Sequence, residues 1–105
     1  MAKVDALILE LAQKFLAKVR EQGIKIESAY LFGSYAKGTE HEWSDIDVAI
    51  ISSDFSDSRF REGVRLMKLS CDIDTRIEPM PFRPERFSDN DPLASEIKKT
   101  GYLIA

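Results

Sequence analysis

Two aspartates, Asp45 and Asp47, run without a break into Val48-Ala49-Ile50-Ile51. A β-branched, apolar run of this kind suits a strand covered on both faces. Carboxylates at its mouth therefore stand at the margin of a core rather than on a free loop. Alternate strand residues share a face, so Asp45 and Asp47 project together, with Cα atoms about 6–7 Å apart. A lone Asp-x-Asp is most often turn chemistry or a solvated edge. Its meaning depends on what the rest of the chain brings beside it.

Val4, Leu7, Ile8, Leu11, Phe15 and Val19 recur at helical spacing, which predicts a helix from Val4 to Gln22 closed by Gly23. Ile24 to Phe32 reads as a strand that Gly33-Ser34 breaks, and Tyr35 to Ser44 as a short helical turn and a loop. Asp45–Ile51 is the second strand. A helix over Arg59–Leu69 follows, with Phe60, Val64 and Met67 expected on its inner face. Cys71–Glu78 alternates as a third strand, ended by Pro79, Pro81 and Pro84. Asp91-Pro92 is a helix start, an N-cap residue followed by proline at the first helical position, and Gly101 is its stop. The expected order is helix, strand, strand, helix, strand, helix: an α+β fold with a small mixed sheet.

The 105 residues make one domain, residues 1–105. With 18 acidic against 15 basic residues the net charge is −3, which argues against a chain that lives on bulk phosphate attraction. No apolar stretch is long enough to span a membrane. Met1-Ala2-Lys3 leads into an amphipathic pattern rather than a signal peptide. The one cysteine, Cys71, excludes an intrachain disulfide and an all-cysteine metal cage. The expected compartment is the cytoplasm.

The third strand carries Asp72, Asp74, Arg76 and Glu78 on one side. If Asp74 points at the Asp45–Asp47 pair, three carboxylates converge. Two unit charges about 4 Å apart repel by roughly 4 kcal/mol at an effective dielectric near 20. Such a cluster must bind a cation, recruit a basic group or take up protons. All-oxygen ligands favour Mg²⁺ over zinc. Gly33-Ser34, after a strand, is a common turn, but it also suits a phosphate, since glycine admits a bulky anion and the serine hydroxyl can reach it. A P-loop is excluded because Thr39, not lysine, follows Gly38.

Gly33-Ser34, ten intervening residues, then Asp45-Ile46-Asp47 fits the G-S-x10-D-x-D signature of the minimal nucleotidyltransferases, within the DNA polymerase β-like nucleotidyltransferase superfamily. The stretches Leu31–Gly38 and Ser44–Ile50 resemble that family almost residue for residue. Ile73-Asp74-Thr75-Arg76-Ile77 is similar to the strand bearing its third carboxylate, which favours Asp74 over Glu78 for that role. The resemblance implies that Asp45 and Asp47 hold two Mg²⁺ ions, that Asp74 completes the one activating the acceptor hydroxyl, and that Gly33 and Ser34 hold the phosphates. It implies transfer of a nucleoside monophosphate, AMP from ATP, to an acceptor hydroxyl. It also implies pairing with a small helical HEPN protein, as the antitoxin of a toxin–antitoxin module. The six elements consume nearly the whole chain, so the acceptor is expected from another chain. A different class stays open, a module that grips nucleotide or partner and catalyses little. A homo-oligomer is compatible with the sequence.

Other residues read more plainly. Arg76 neutralises neighbouring carboxylates. Lys37 and His41 are loop residues, Trp43 a packing anchor, Tyr35 either packing or site. Cys71 is a small apolar filler. Arg61, Arg65 and Lys68 form one helical stripe, a solvated face in the plain reading and a contact for an acidic partner or RNA in the sharper one. Lys98-Lys99 suits a helix C-terminus.

Overall fold

The computed structural model describes residues 5–37 and 44–105, for Ser34 and Lys37 the backbone alone. Val4, Gly38, His41 and Trp43, singled out above, lie outside the described residues. The elements are α1 (Ala6–Glu21), β1 (Ser28–Phe32), α2 (Ser34–Lys37), β2 (Ile46–Ile51), α3 (Arg59–Ser70), β3 (Ile77–Phe82), a 3₁₀ turn (Pro84–Arg86), α4 (Pro92–Thr100) and β4 (Tyr102–Leu103). The fold is α+β. Its mixed sheet has the order β3-β2-β1-β4, antiparallel except for the parallel pair β2–β3.

β2 is central and divides the core. Ile46, Val48 and Ile50 face α1, whose Ile8, Ala12, Phe15, Leu16 and Val19 pack against them together with Leu66 of α3. Ala49 and Ile51 face the other way, onto Phe82, Phe87, Ala94 and Ile97. Asp5 caps α1 by accepting from the Leu7 N–H at 2.8 Å, and Asp91 caps α4 by accepting from the Leu93 and Ala94 N–H groups at 2.9 and 3.1 Å. Leu7, counted with the apolar stripe of α1, is exposed, while Ile8 beside it is buried.

Three expectations are corrected. The third strand runs from Ile77 to Phe82, not from Cys71 to Glu78, and contains Pro79 and Pro81. The prolines fit because β3 is an edge strand. The Ile46 N–H donates to the Arg76 carbonyl at 2.8 Å and the Ser52 N–H to the Phe82 carbonyl at 3.0 Å, so even-numbered residues turn their backbone groups to β2. Pro79 and Pro81 face the open side, where a missing N–H breaks no ladder.

The second correction concerns α3. It buries Glu62, Leu66 and Ser70, while Phe60 is 82% exposed, Val64 40% and Met67 48%. Polar groups can line this inner face because each has a partner: Glu62 accepts from the Ser56 N–H at 2.6 Å, and the Ser70 hydroxyl donates to the Met67 carbonyl at 2.9 Å. Cys71, third, is exposed at the C-cap of α3 and fills no core. The terminal segment adds β4, which pairs Tyr102 and Leu103 with Leu31 and Tyr30.

Candidate functional site

The site is built on the β1–β2 hairpin and the parallel neighbour β3. Phe32 of β1 stands opposite Asp47, so the turn after β1 opens directly over that carboxylate. The turn residue is Gly33, with φ +74°, a region that disfavours any residue bearing a β carbon. A β carbon there would also overlap Oδ2 of Asp47 and stand 3.2 Å from its Cγ. Glycine is thus required twice, by its backbone angle and by the carboxylate packed against it. Ser34 opens α2 immediately afterwards, next to this close approach along the chain.

Asp47 is half-buried on β2, and Asp45 is exposed just before that strand. Burial, and then the charge of Asp45, raise the Asp47 carboxyl above its ordinary range. On β3 the residue in register with Asp47 is Glu78. Burial raises Glu78 as well, followed by a hydrogen bond with the Asp45 carboxyl and the negative charges of Asp45 and Asp47. Asp45 and Glu78 line one open cleft, with Met67, Ser70, Cys71, Thr75 and Arg76 around it.

Asp74 is placed differently. It lies in the turn between α3 and β3, not on a strand face beside the pair. Its Oδ1 accepts from the Arg76 N–H at 2.8 Å and from Nε at 3.1 Å, and its Oδ2 from Nη2 at 3.0 Å. The guanidinium holds the Asp74 carboxyl below its ordinary range. Arg76 also reaches the buried Tyr35, donating to its hydroxyl at 3.5 Å. The structure therefore brings Glu78, the sequence alternative, to the two aspartates and gives Asp74 a cationic partner. The edge position of β3, which admits the prolines and moves the strand onto Glu78, is set by its neighbour β2 and left no local signal in the sequence.

The donor set suits a hard divalent cation. Carboxylates that raise one another's proton affinity form a region of negative potential that a cation relieves. Among the described residues no three carboxylate, imidazole or thiol groups close into a metal-holding cluster. Mg²⁺ is typically held by one or two carboxylates and completed by waters and substrate phosphates. No helix among the described residues is long and apolar enough to cross a membrane.

Over 70 residues, 67% of this chain, the sequence is 34% identical to the protein adenylyltransferase MntA of Shewanella oneidensis, and it spans half of that protein's length. A toxin–antitoxin structure with AMP-PNP superposes with a TM-score of 0.68 at 28% identity, over 89% of this chain and 71% of that one. An MntA–HepT toxin–antitoxin structure, 22% identical, shares the fold with a TM-score of 0.63 over 96% of this chain and 72% of that one. Residues 6–105, which carry the glycine turn, the aspartate pair and β3, match the family described as polymerase beta, nucleotidyltransferase, and the chain belongs to that family.

Proposed function

We propose that the chain is a nucleotidyltransferase that moves AMP from ATP onto a hydroxyl of an acceptor protein. The observation that carries this reading is the approach of Glu78 to Asp45 and Asp47 at one strand end, beside a glycine turn packed on Asp47. Two Mg²⁺ ions held by Asp45, Asp47 and a third carboxylate would supply charge neutralisation for a triphosphate and its leaving group. Glu78 is proposed as that third carboxylate in preference to Asp74, because Asp74 is committed to Arg76. Gly33 and Ser34 are proposed to receive the phosphates. In the reaction the acceptor oxygen bonds the α-phosphorus, the bond from that phosphorus to the bridging oxygen breaks, pyrophosphate departs, and the hydroxyl proton passes to solvent.

The chain's own contribution is positional. The Gly33 turn packs backbone directly against Asp47, so a phosphate received by Gly33 and Ser34 would lie beside that carboxylate, with a cation bridging the two. Arg76, by holding Asp74 out of the cluster, keeps a fourth negative charge from the triphosphate. The adenylyltransferase and toxin–antitoxin relatives support a protein partner and an antitoxin role, with which we propose a small helical HEPN partner and a cytoplasmic setting.

The test is incubation of the chain with α-labelled ATP, Mg²⁺ and lysate of the source cell, followed by a denaturing gel. One labelled protein band, lost with Asp45→Asn and Asp47→Asn, is expected. Mg²⁺-dependent ATP binding by calorimetry without any labelling would replace this reading with a non-catalytic binding module. Equal ATP affinity with and without Mg²⁺ would remove the site.

A further inference from the structure

The outer surface of α3 is divided into stripes. At 100° per residue, Phe60, Val64 and Met67 fall within one narrow arc, and Arg61, Arg65 and Lys68 fall on the arc beside it. The first stripe is apolar and exposed, with Phe60 bare over 82% of its surface. Phe60 and Val64, with the basic stripe, Ser58 and Leu69, wall a groove along the helix, and Met67 lies outside it, toward the cleft of Asp45 and Glu78. A row of large apolar groups on one face, spaced i, i+4, i+7, marks a surface that gains by being covered.

Charge says what covers it. α3 carries Arg59, Arg61, Arg65 and Lys68 against one acid, Glu62, which is buried, accepts from the Ser56 N–H and pairs at 3.8 Å with Arg65, itself exposed. The exposed face of the helix is therefore cationic, in a chain whose net charge is −3. Position says why. Met67, at the end of the apolar stripe, also lines the cleft that holds Asp45 and Glu78. The stripe from Phe60 to Met67 is a track about 10 Å long that ends at the carboxylates.

We propose that this face of α3 docks the acceptor protein through an acidic amphipathic segment. Its apolar side chains lie on Phe60, Val64 and Met67, its carboxylates on Arg61, Arg65 and Lys68, and its hydroxyl-bearing residue passes Met67 into the cleft. The inference rests on the transferase reading above and deepens it by assigning the surface that selects the acceptor. RNA is the poorer occupant because the stripe offers one aromatic ring and two aliphatic chains rather than a stacking platform. An anionic bilayer is poorer still, since a flat lipid surface cannot enter the cleft at the end of the stripe.

The test compares two surface variants with the wild-type chain, Phe60→Ser/Val64→Ser and Arg61→Glu/Arg65→Glu/Lys68→Glu. Expected is a fall in acceptor labelling of about tenfold or more in each, as for the loss of interface anchors, with Mg²⁺-dependent ATP affinity unchanged. Rising salt should weaken labelling by the wild type more than by the charge-reversed variant. A photo-crosslinking p-benzoylphenylalanine in place of Val64 should capture the same band that takes the label.

Wild-type labelling by both variants overturns the docking surface and leaves the transferase reading standing. Labelling that survives Asp45→Asn overturns the transferase reading, and the docking surface with it. Loss of ATP binding in the surface variants makes α3 a support of the site and overturns the proposal. So does a wild-type dimer that Phe60→Ser/Val64→Ser converts to monomer without loss of labelling, which gives the face to a second copy. Binding of poly(U) that disappears in the variants, with labelling intact, gives it to RNA.

Discussion

Gly33 and Asp47 are built against each other: the glycine, at φ +74°, leaves the space that Oδ2 of the aspartate fills. The turn and the carboxylate are thus one unit contributed by β1 and β2, and neither can change alone. Gly23, the other glycine at positive φ (+83°), has nothing within 4 Å of the position its β carbon would take. The pair makes a controlled comparison. Gly23→Ala should cost only the left-handed backbone penalty of about 1–2 kcal/mol and leave nucleotide binding intact. Gly33→Ala should lower the melting temperature further and weaken Mg²⁺-dependent ATP binding by about tenfold or more, since displacing a positioned ligand by 1.4 kcal/mol suffices. Melting curves and calorimetry on both variants check this, and equal behaviour would deny the Gly33–Asp47 contact any role.

Asp74 and Glu78 should separate in a transfer assay. Glu78→Gln removes a carboxylate that shares its surroundings with Asp45 and Asp47, and transfer should fall by about a hundredfold, the scale of losing one charge-stabilising group. Asp74→Asn leaves that group in place and should retain most of the activity. The reverse ranking would return the third-ligand role to Asp74.

The two acids also predict opposite effects on stability when EDTA removes cations. Asp47 has its carboxyl raised in the folded state, so its ionised form opposes folding above that raised value and the opposition vanishes below the ordinary 3.8. Asp47→Asn should therefore melt higher than wild type at pH 7, by up to about 4 °C, the shift that ~1 kcal/mol gives a domain of this size. The gain should disappear as pH falls through the raised value.

Asp74 has its carboxyl lowered by Arg76, so its stabilisation is present above 3.8 and is lost as pH falls through the lowered value. Asp74→Asn should melt lower at pH 7, by roughly 1–2 kcal/mol for a charge-assisted pair, with the gap closing in acid. Melting temperature against pH in EDTA reads both signs.

Glu62 supplies a further test of why α3 sits as it does. Replacing it by leucine would satisfy the hydrophobic pattern and fill the buried position. It would also strip the acceptor from the Ser56 N–H, at a cost of about 1–3 kcal/mol. Chemical denaturation of Glu62→Leu and Glu62→Gln should find the leucine variant less stable, with glutamine recovering part of the loss through its carbonyl.

α1 was legible by its apolar spacing and α4 by its Asp91-Pro92 start and Gly101 stop, while Asp5, read inside α1, in fact caps it. β2 was legible for the same kind of reason, a β-branched run that only a covered strand accommodates. The glycine turn and the aspartate pair could be read because their spacing survives as sequence. What could not be read depended on neighbours. Whether a proline ends a strand depends on which side of it another strand lies, and Pro79 and Pro81 happen to face none. Whether Phe60 or Glu62 points inward depends on the Ser56 backbone, a partner that periodicity does not count. The strand around Asp74 was placed too early through the same gap: its alternation with Arg76 is in fact a turn closed by their mutual hydrogen bonds.

The outward-facing prolines of β3 set a condition on any macromolecule that approaches the carboxylates. A sheet rim recruits a visiting strand by offering it alternate donors and acceptors. Here the rim beside Glu78 offers carbonyls, and at Pro79 and Pro81 no N–H to match them. A guest chain cannot zip onto it, and the sheet cannot lengthen by copying itself from that side. On the transferase reading proposed above, an acceptor reaching this rim would be held by side-chain contacts and leave without a ladder of backbone bonds to undo. Turnover demands that kind of release, and a permanent added strand would forbid it.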